Sequence, residues 1–245
     1  MSPHIRDQVI AELQHYRPSK QARELVSSTP ILLLVGISGA GKDTVKDHLL
    51  SDKPDYHHIV SHTTRAPRSN NGVRERNGVE YHFIDWVKAQ EMVKHREFIE
   101  ANIYASNLYG TSTEDIHIAK LEGKVAISAI EVQGVEEYKK ISPKVKAVFL
   151  LPPNYAVWQE RYRNRYGGEF SGHSPDTKRR MQTALIELNL ALTDNFFTFV
   201  VNEKLSDTIA VVDAIAHGKK VDHQARAKEL VHQLIAELSQ EVNKK

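Results

Sequence analysis

Apolar residues along this chain fall into two rhythms, continuous short runs and helical stripes. The densest run, Ile31-Leu32-Leu33-Leu34-Val35, is closed by Gly36. Five apolar residues with no polar alternation predict a strand buried on both faces, as in a parallel sheet. Shorter extended runs follow at His57 to Val60, Gly78 to Ile84, Lys144 to Leu151 and Phe196 to Val201. Between them the period becomes helical. Ile5, Val9, Leu13 and Tyr16 recur at helical spacing before Pro18, and a second short helix is expected from Lys20 to Ser27. Val45, Leu49 and Leu50 share one helical face, and Asp85 is placed to cap a helix that turns Trp86, Ala89 and Val93 inward. A short helix is expected from Gly134 to Lys140. Further on, Met181, Ala184, Leu185, Leu188 and Leu192 form a core-facing stripe. Leu230, Val231, Leu234, Ile235, Leu238 and Val242 give a last amphipathic helix with a wide apolar face. The N-terminal helix is expected to pack onto the core or onto the C-terminal helix, with a partner surface as the second reading. The C-terminal helix is expected to pack against the N-terminal one, with dimerisation as the second reading. Strands alternating with helices predict an α/β fold around a parallel sheet.

The turn after the first strand carries chemistry. Gly36-Ile37-Ser38-Gly39-Ala40-Gly41-Lys42-Asp43-Thr44 joins a buried strand to a helix start through three glycines and a lysine. Glycine backbone can aim several N–H groups at one point, and a helix N-terminus and an ammonium add positive charge there. This is the context in which a P-loop binds polyphosphate. A hydroxyl residue usually follows the lysine and meets Mg²⁺; here Asp43 stands in that position and Thr44 comes one residue later. Asp43 is the one candidate metal ligand, and no metal-ligand set is assigned.

Composition then narrows the classes. The chain has 245 residues, enough for one large domain with embedded lobes. Lys plus Arg total 33 against 31 acidic residues, so no global field recruits nucleic acid. With no cysteine, a catalytic thiol, thiolate zinc and disulfides are excluded. The start lacks a basic-then-apolar leader pattern, and no apolar run approaches the roughly 18 residues a membrane span needs. These features predict a cytoplasmic protein without a membrane or nucleic-acid partner, as a monomer or homodimer.

Two further groups of residues invite a chemical reading. Arg65 and Arg68 bracket Pro67 on rigid, non-helical backbone, a setting that suits bidentate hydrogen bonds to a phosphate monoester. Arg161 and Arg165 lie one helical turn apart, ahead of Gly167-Gly168 and a polar run that reads as a mobile loop. Ser174-Pro175-Asp176 then opens another helix. His57, His58 and His62 have no spacing that ties them to a carboxylate and are read as structural or solvated.

Taken in order, the glycine loop, Ser61-His62-Thr63-Thr64-Arg65-Ala66-Pro67-Arg68, Gly78-Val79-Glu80-Tyr81-His82-Phe83, Phe98-Ile99-Glu100 and Tyr109-Gly110-Thr111 resemble the guanylate kinases. Glu131-Val132-Gln133-Gly134, Leu151-Pro152-Pro153, Arg161-Tyr162-Arg163-Asn164-Arg165 and Val200-Val201-Asn202 continue the resemblance, which covers about residues 30 to 215. It implies a P-loop NTPase-type parallel sheet core flanked by helices, with an inserted GMP-binding lobe near 61–114 and a lid near 158–180. The family-like domain would span 30–218, between an N-terminal helical extension, 1–29, and a C-terminal amphipathic helix, 219–245. The implied reaction transfers the γ-phosphate of ATP to GMP, with Mg²⁺ accompanying ATP. By the same resemblance Gly36, Ser38, Gly39, Ala40, Gly41, Lys42, Asp43, Thr44 and Asn202 would bind ATP. Ser61, Arg65, Arg68 and Tyr81 would hold the GMP phosphate. Glu100, Thr111 and Glu131 would face guanine, with Tyr109 supporting the site. Lys42, Arg161, Arg165 and Arg180 would carry the transfer.

Against the family pattern, Ala129 replaces an acidic residue, Glu131 replaces an aspartate, and the loops after Arg68 and Gly167 are longer. A ribose bisphosphate phosphokinase, whose loop can carry Gly-Lys-Asp, and a related binding module without catalysis are the alternatives. Arg68, Tyr81, Glu100 and Thr111 together speak against the first, and Lys42 with the three arginines against the second.

Overall fold

The computed structural model describes residues 3–70, 73–104, 106–166, 175–222 and 224–243. In chain order the elements are α1 (Pro3–Leu13), α2 (Lys20–Ser28), β1 (Ile31–Val35), α3 (Lys42–Asp52), β2 (Tyr56–His58), β3 (His62–Thr63), β4 (Ser69–Asn70) and β5 (Val73–Arg74). Then come β6 (His82–Phe83), α4 (Trp86–Lys94), β7 (Phe98–Tyr104), β8 (Asn107–Ser112), α5 (Glu114–Leu121), β9 (Val125–Ala129) and α6 (Val132–Ile141). The last are β10 (Lys146–Leu151), α7 (Tyr155–Tyr166), α8 (Pro175–Thr193), β11 (Phe197–Val201), α9 (Leu205–Ala216) and α10 (Gln224–Asn243). The fold is mixed α/β, with parallel strands flanked by helices. The chain divides into two compact units, one formed by residues 1–31, 55–128 and 136–145, the other by 32–54, 129–135 and 146–245.

The second unit is built on β1, which pairs in parallel with β10, which pairs in parallel with β11. Every residue of β1 is buried, as a strand covered on both faces requires. Its Leu34 carbonyl also accepts from the Ile130 N–H at 3.0 Å. α10 lies against α7, α8 and β11, burying Ala227, Val231, Leu234 and Leu238. Its first residue, Gln224, exchanges two hydrogen bonds with the Phe199 backbone, at 2.8 and 3.0 Å, and so fastens the helix to β11.

The first unit holds the parallel pair β2–β9 and a separate sheet in the order β6-β3-β8-β7. In that sheet β3 runs parallel to β6 and antiparallel to β8, and β8 is antiparallel to β7. α1 packs on α4 and β7. α1 thus finds its apolar partners within the first unit, and α10 finds its own within the second. The helix predicted over Trp86, Ala89 and Val93 is α4, and Asp85 caps it by accepting from the Lys88 N–H at 2.8 Å. The run from Gly78 to Ile84 is a strand only over His82–Phe83, since residues 78–80 turn back and the Gly78 N–H donates to the Tyr81 carbonyl. The loop read at Gly167-Gly168 and the cap at Ser174 lie outside the described residues.

Candidate active site

Two groups of predicted residues come together, one in each unit. In the second unit the glycine loop leaves β1 at Gly36, whose φ of 141° and close approach to the Leu150 carbonyl leave no room for a Cβ. Gly41, at φ 96°, is the N-cap of α3, and a Cβ there would strike the Asn202 amide. Asn202 is 5% exposed and serves three elements at once. Its Nδ2 donates to the Ala40 carbonyl at 2.8 Å, its carbonyl accepts from Arg161 Nη2 at 2.9 Å, and its Oδ1 accepts from Thr208 at 3.1 Å. From the other side, the Trp158 indole donates to the Ser38 carbonyl at 2.7 Å. The loop is thus fixed from α7 and from the end of β11.

The cavity over this loop has a volume of about 350 Å³. Gly39, Gly41, Lys42, Asp43, Thr44, Arg161, Arg165 and Asn202 line it. The Lys42 ammonium lies back on the loop, donating to the Gly36 carbonyl and more weakly to that of Ile37 at 3.5 Å. Arg165 and Asp43 approach to 3.8 Å. Arg161 Nη1 is buried and has no hydrogen-bond partner among the described residues, and burial pulls its guanidinium below the ordinary range. A buried donor left unsatisfied is costly unless an acceptor arrives. Arg180, half-buried on α8, is not among the residues that line this cavity.

Glu131 belongs to this unit as well and meets a residue absent from the sequence reading. It faces Glu187 of α8, which is 6% exposed. Burial first, and the Glu131 carboxylate second, raise the Glu187 carboxyl to about 9, with Lys42 acting weakly in the other direction. Two carboxyls can share such a contact only when one keeps its proton. Glu187 lies three residues after Ala184 on the inward stripe of α8, and a carboxyl in that phase is the signal that could have found it.

In the first unit the pairing of β7 with β8 contains a register shift. Phe98 pairs with Ser112, but Glu100 pairs with Thr111. Without the shift Ile99 would stand opposite Thr111, so the irregularity aims Glu100. Its carboxylate is buried, accepting from the Thr111 hydroxyl at 2.8 Å and from Asn102 Nδ2 at 3.0 Å. Burial raises Glu100 to about 7, although both hydrogen bonds favour the ionised form. Asn102 was not predicted.

Arg65 is 8% exposed and is clamped by Glu75, which the sequence reading also missed. Nη1 and Nη2 donate to the two Glu75 oxygens at 2.8 and 3.1 Å, and the same carboxylate accepts from the Arg68 N–H at 2.7 Å. Burial pulls Arg65 down, but the Glu75 hydrogen bonds outweigh it and leave the guanidinium above its usual range. Tyr81 and Phe83 present their rings to Arg65 at 5.3 and 5.7 Å, and Tyr81 meets the Tyr109 ring edge-on at 5.8 Å. Ser61 is half-buried beside β6, where its carbonyl accepts from the His82 N–H, and the Arg68 side chain is exposed.

The histidines correct one expectation. His57 does meet carboxylates, Asp115 at 3.4 Å and Glu122 at 3.5 Å, through an α5 contact that spacing could not reveal. His62 is buried against the His82 ring at 4.6 Å, and burial lowers it to about 4, which makes it a neutral core residue.

A parallel-sheet α/β chain with a lysine-bearing glycine loop under a cationic cavity is a nucleotide-binding protein of the kinase class. The guanylate kinase family model matches residues 27–218, and the chain belongs to that family. It is 33% identical to the guanylate kinase of Trichormus variabilis over 196 residues, covering 80% of this chain and 94% of the relative. It is 32% identical to that of Schizosaccharomyces pombe over 186 residues, covering 75% and 88%. The crystal structure of guanylate kinase from Anaplasma phagocytophilum shares the fold, with a TM-score of 0.57 and 23% identity, covering 86% of this chain and 94% of that one.

Proposed function

We propose that this protein is a guanylate kinase, moving the γ-phosphoryl group of ATP onto the phosphate of GMP to give ADP and GDP. The observation that carries the reading is Glu100, a buried carboxylate oriented from both sides by Thr111 and Asn102. A sugar bisphosphate offers single hydroxyls but no planar pair of N–H donors for such a carboxylate. Guanine presents a ring N–H and an exocyclic amine side by side, which a carboxylate accepts together, whereas adenine presents an acceptor at the ring nitrogen. A buried polar mismatch rejects the wrong base strongly.

Each group has one task in this reading. Arg65, Arg68, Ser61 and Tyr81 hold the acceptor phosphate, with Glu75 keeping the Arg65 fork in one orientation. Glu100 and Thr111 read the base, with Tyr109 in support. The P-loop amides and Lys42 take the donor phosphates, and the Lys42 contacts with loop carbonyls are exchanged for phosphate oxygens. Arg161 supplies its buried Nη1, and Arg165 and Arg180 would add charge from a lid near 158–180. The acceptor is already an anion, so the step needs no strong base. It needs in-line placement and positive charge around the moving group. Asp43 and Thr44 are hard oxygen donors beside Lys42, a set that suits Mg²⁺. That ion would supply neutralisation of the β- and γ-oxygens. Asn202 holds the loop still while the donor is bound, and the enzyme works in the cytoplasm.

The test is ADP release from ATP with an acceptor panel. Release that depends on GMP, and not on AMP or ribose bisphosphate, is the expected result. Equal release with every acceptor, or none with GMP, would contradict the reading.

A further inference from the structure

The N-terminal segment precedes the residues that match the family, yet it reaches the strand that carries Glu100. Val9 of α1 is fully buried in one cluster with Trp86, Ala89, Met92, Val93, Phe98 and Leu108, and Ile5, Leu13 and Tyr16 pack on its margin. Gln90 donates to Gln8 at 2.9 Å across the same seam. Tyr16 goes further, its hydroxyl donating to the Phe98 carbonyl at 2.7 Å.

The position of that carbonyl gives the bond its meaning. β7 is the outer strand of its sheet, so its outward backbone groups have no ladder partner. The Thr113 N–H donates to the Glu97 carbonyl, and carbonyls alternate sides along an antiparallel strand, so that of Phe98 points away from β8. Phe98 is also the last residue before the register shift that sets Glu100 against Thr111. An irregular ladder at an edge is held less firmly than a regular one. A fixed donor on the outer side restrains the bulge where the ladder does not.

We propose that Tyr16 is a positioning residue for base recognition, its hydroxyl holding the Phe98 carbonyl so that the bulge keeps Glu100 aimed at the purine. The N-terminal segment is then a working part of the acceptor lobe, independent of the donor cavity. This rests on the reading of Glu100 as the group that binds guanine.

The experiment compares the full chain with Tyr16→Phe, which removes one oxygen and keeps the ring, and with Val9→Ala, which loosens the same core without touching the hydroxyl. The readouts are KM for GMP, KM for ATP, kcat, and the preference for GMP over inosine monophosphate, which lacks the exocyclic amine. For Tyr16→Phe, KM for GMP should rise roughly three- to tenfold, the weight of one hydrogen bond. The GMP preference should narrow, while kcat and KM for ATP stay within twofold. Val9→Ala should lower the melting temperature and leave both nucleotide constants in place. An unchanged KM for GMP in Tyr16→Phe overturns the proposal. So does an equal rise in Val9→Ala, which would assign the effect to general loosening. A wild-type chain without GMP-dependent turnover would instead overturn the functional reading, and the proposal with it.

Discussion

In the proposed function the donor cavity and the acceptor lobe bind their nucleotides by opposite means. Over the glycine loop the available groups are backbone amides, a lysine and two arginines around an open space of about 350 Å³, with Asp43 and Thr44 exposed. Such a surface attracts polyphosphate and reads little else. Around Glu100 the binding group is one carboxylate, 8% exposed, whose aim depends on a register shift, a hydroxyl and an amide. Charge in the open tolerates error, whereas a buried acceptor pair does not. In the proposed function, base discrimination thus lies with Glu100 in the first unit and the donor polyphosphate with the glycine loop in the second.

Substitutions should separate the two. Lys42→Ala removes the donor-side ammonium and should lower kcat by roughly a hundred- to a thousandfold, with the melting temperature unchanged. Retained turnover would remove Lys42 from the transfer. Glu100→Gln places a donor where guanine also donates, so KM for GMP should rise about a hundredfold while KM for ATP stays put. An equal loss for both nucleotides would erase the contrast. Asn202→Ala is the mirror test, cutting the tie to the Ala40 carbonyl at 2.8 Å. It should raise KM for ATP roughly tenfold and leave KM for GMP unchanged. A change confined to GMP would reverse the assignment of the two sites.

The smallest expected effect sharpens the comparison through pH. Glu187 keeps its proton to about 9 when folded and loses it near its ordinary value of 4.5 when unfolded. Its contribution to stability is complete below 4.5 and is lost as pH rises through 9. Glu100 acts in the same direction but only up to about 7. His62, lowered from 6.5 to about 4, acts the other way, its contribution present above 6.5 and lost as pH falls through 4. Between pH 7 and 9 the slope should come chiefly from Glu187. The melting temperature should fall there in the wild type and fall less in Glu187→Gln. An identical decline in both would show that the Glu131 contact does not hold the proton.

What could be read from the sequence divides along the same line. The buried β1, the glycine loop and the Asp85 cap are local events, decided by residues within a turn of one another. So are Lys42 and the pair Arg161 and Arg165 on one helical face, which do line one cavity. The acceptor side depends on partners far apart in the chain. Glu75 lies in a loop without period, Asn102 depends on strand register, and Tyr16 meets Phe98 across 82 positions. A bulge at Ile99 leaves no mark in an apolar run, because both neighbours of the extra residue are buried or made buried by it. The strand expected from Gly78 failed for the reverse reason, since hydrogen bonds in the turn at 78–81 overrode an alternating pattern.

The account depends most on an ionised Glu100 receiving the purine. Calorimetric titration of GMP near pH 7, in buffers of different ionisation enthalpy, measures the protons released on binding. With Glu100 at about 7 in the free protein, binding should release about half a proton more in the wild type than in Glu100→Gln. Equal release by the two proteins, with equal affinity for GMP, would contradict it.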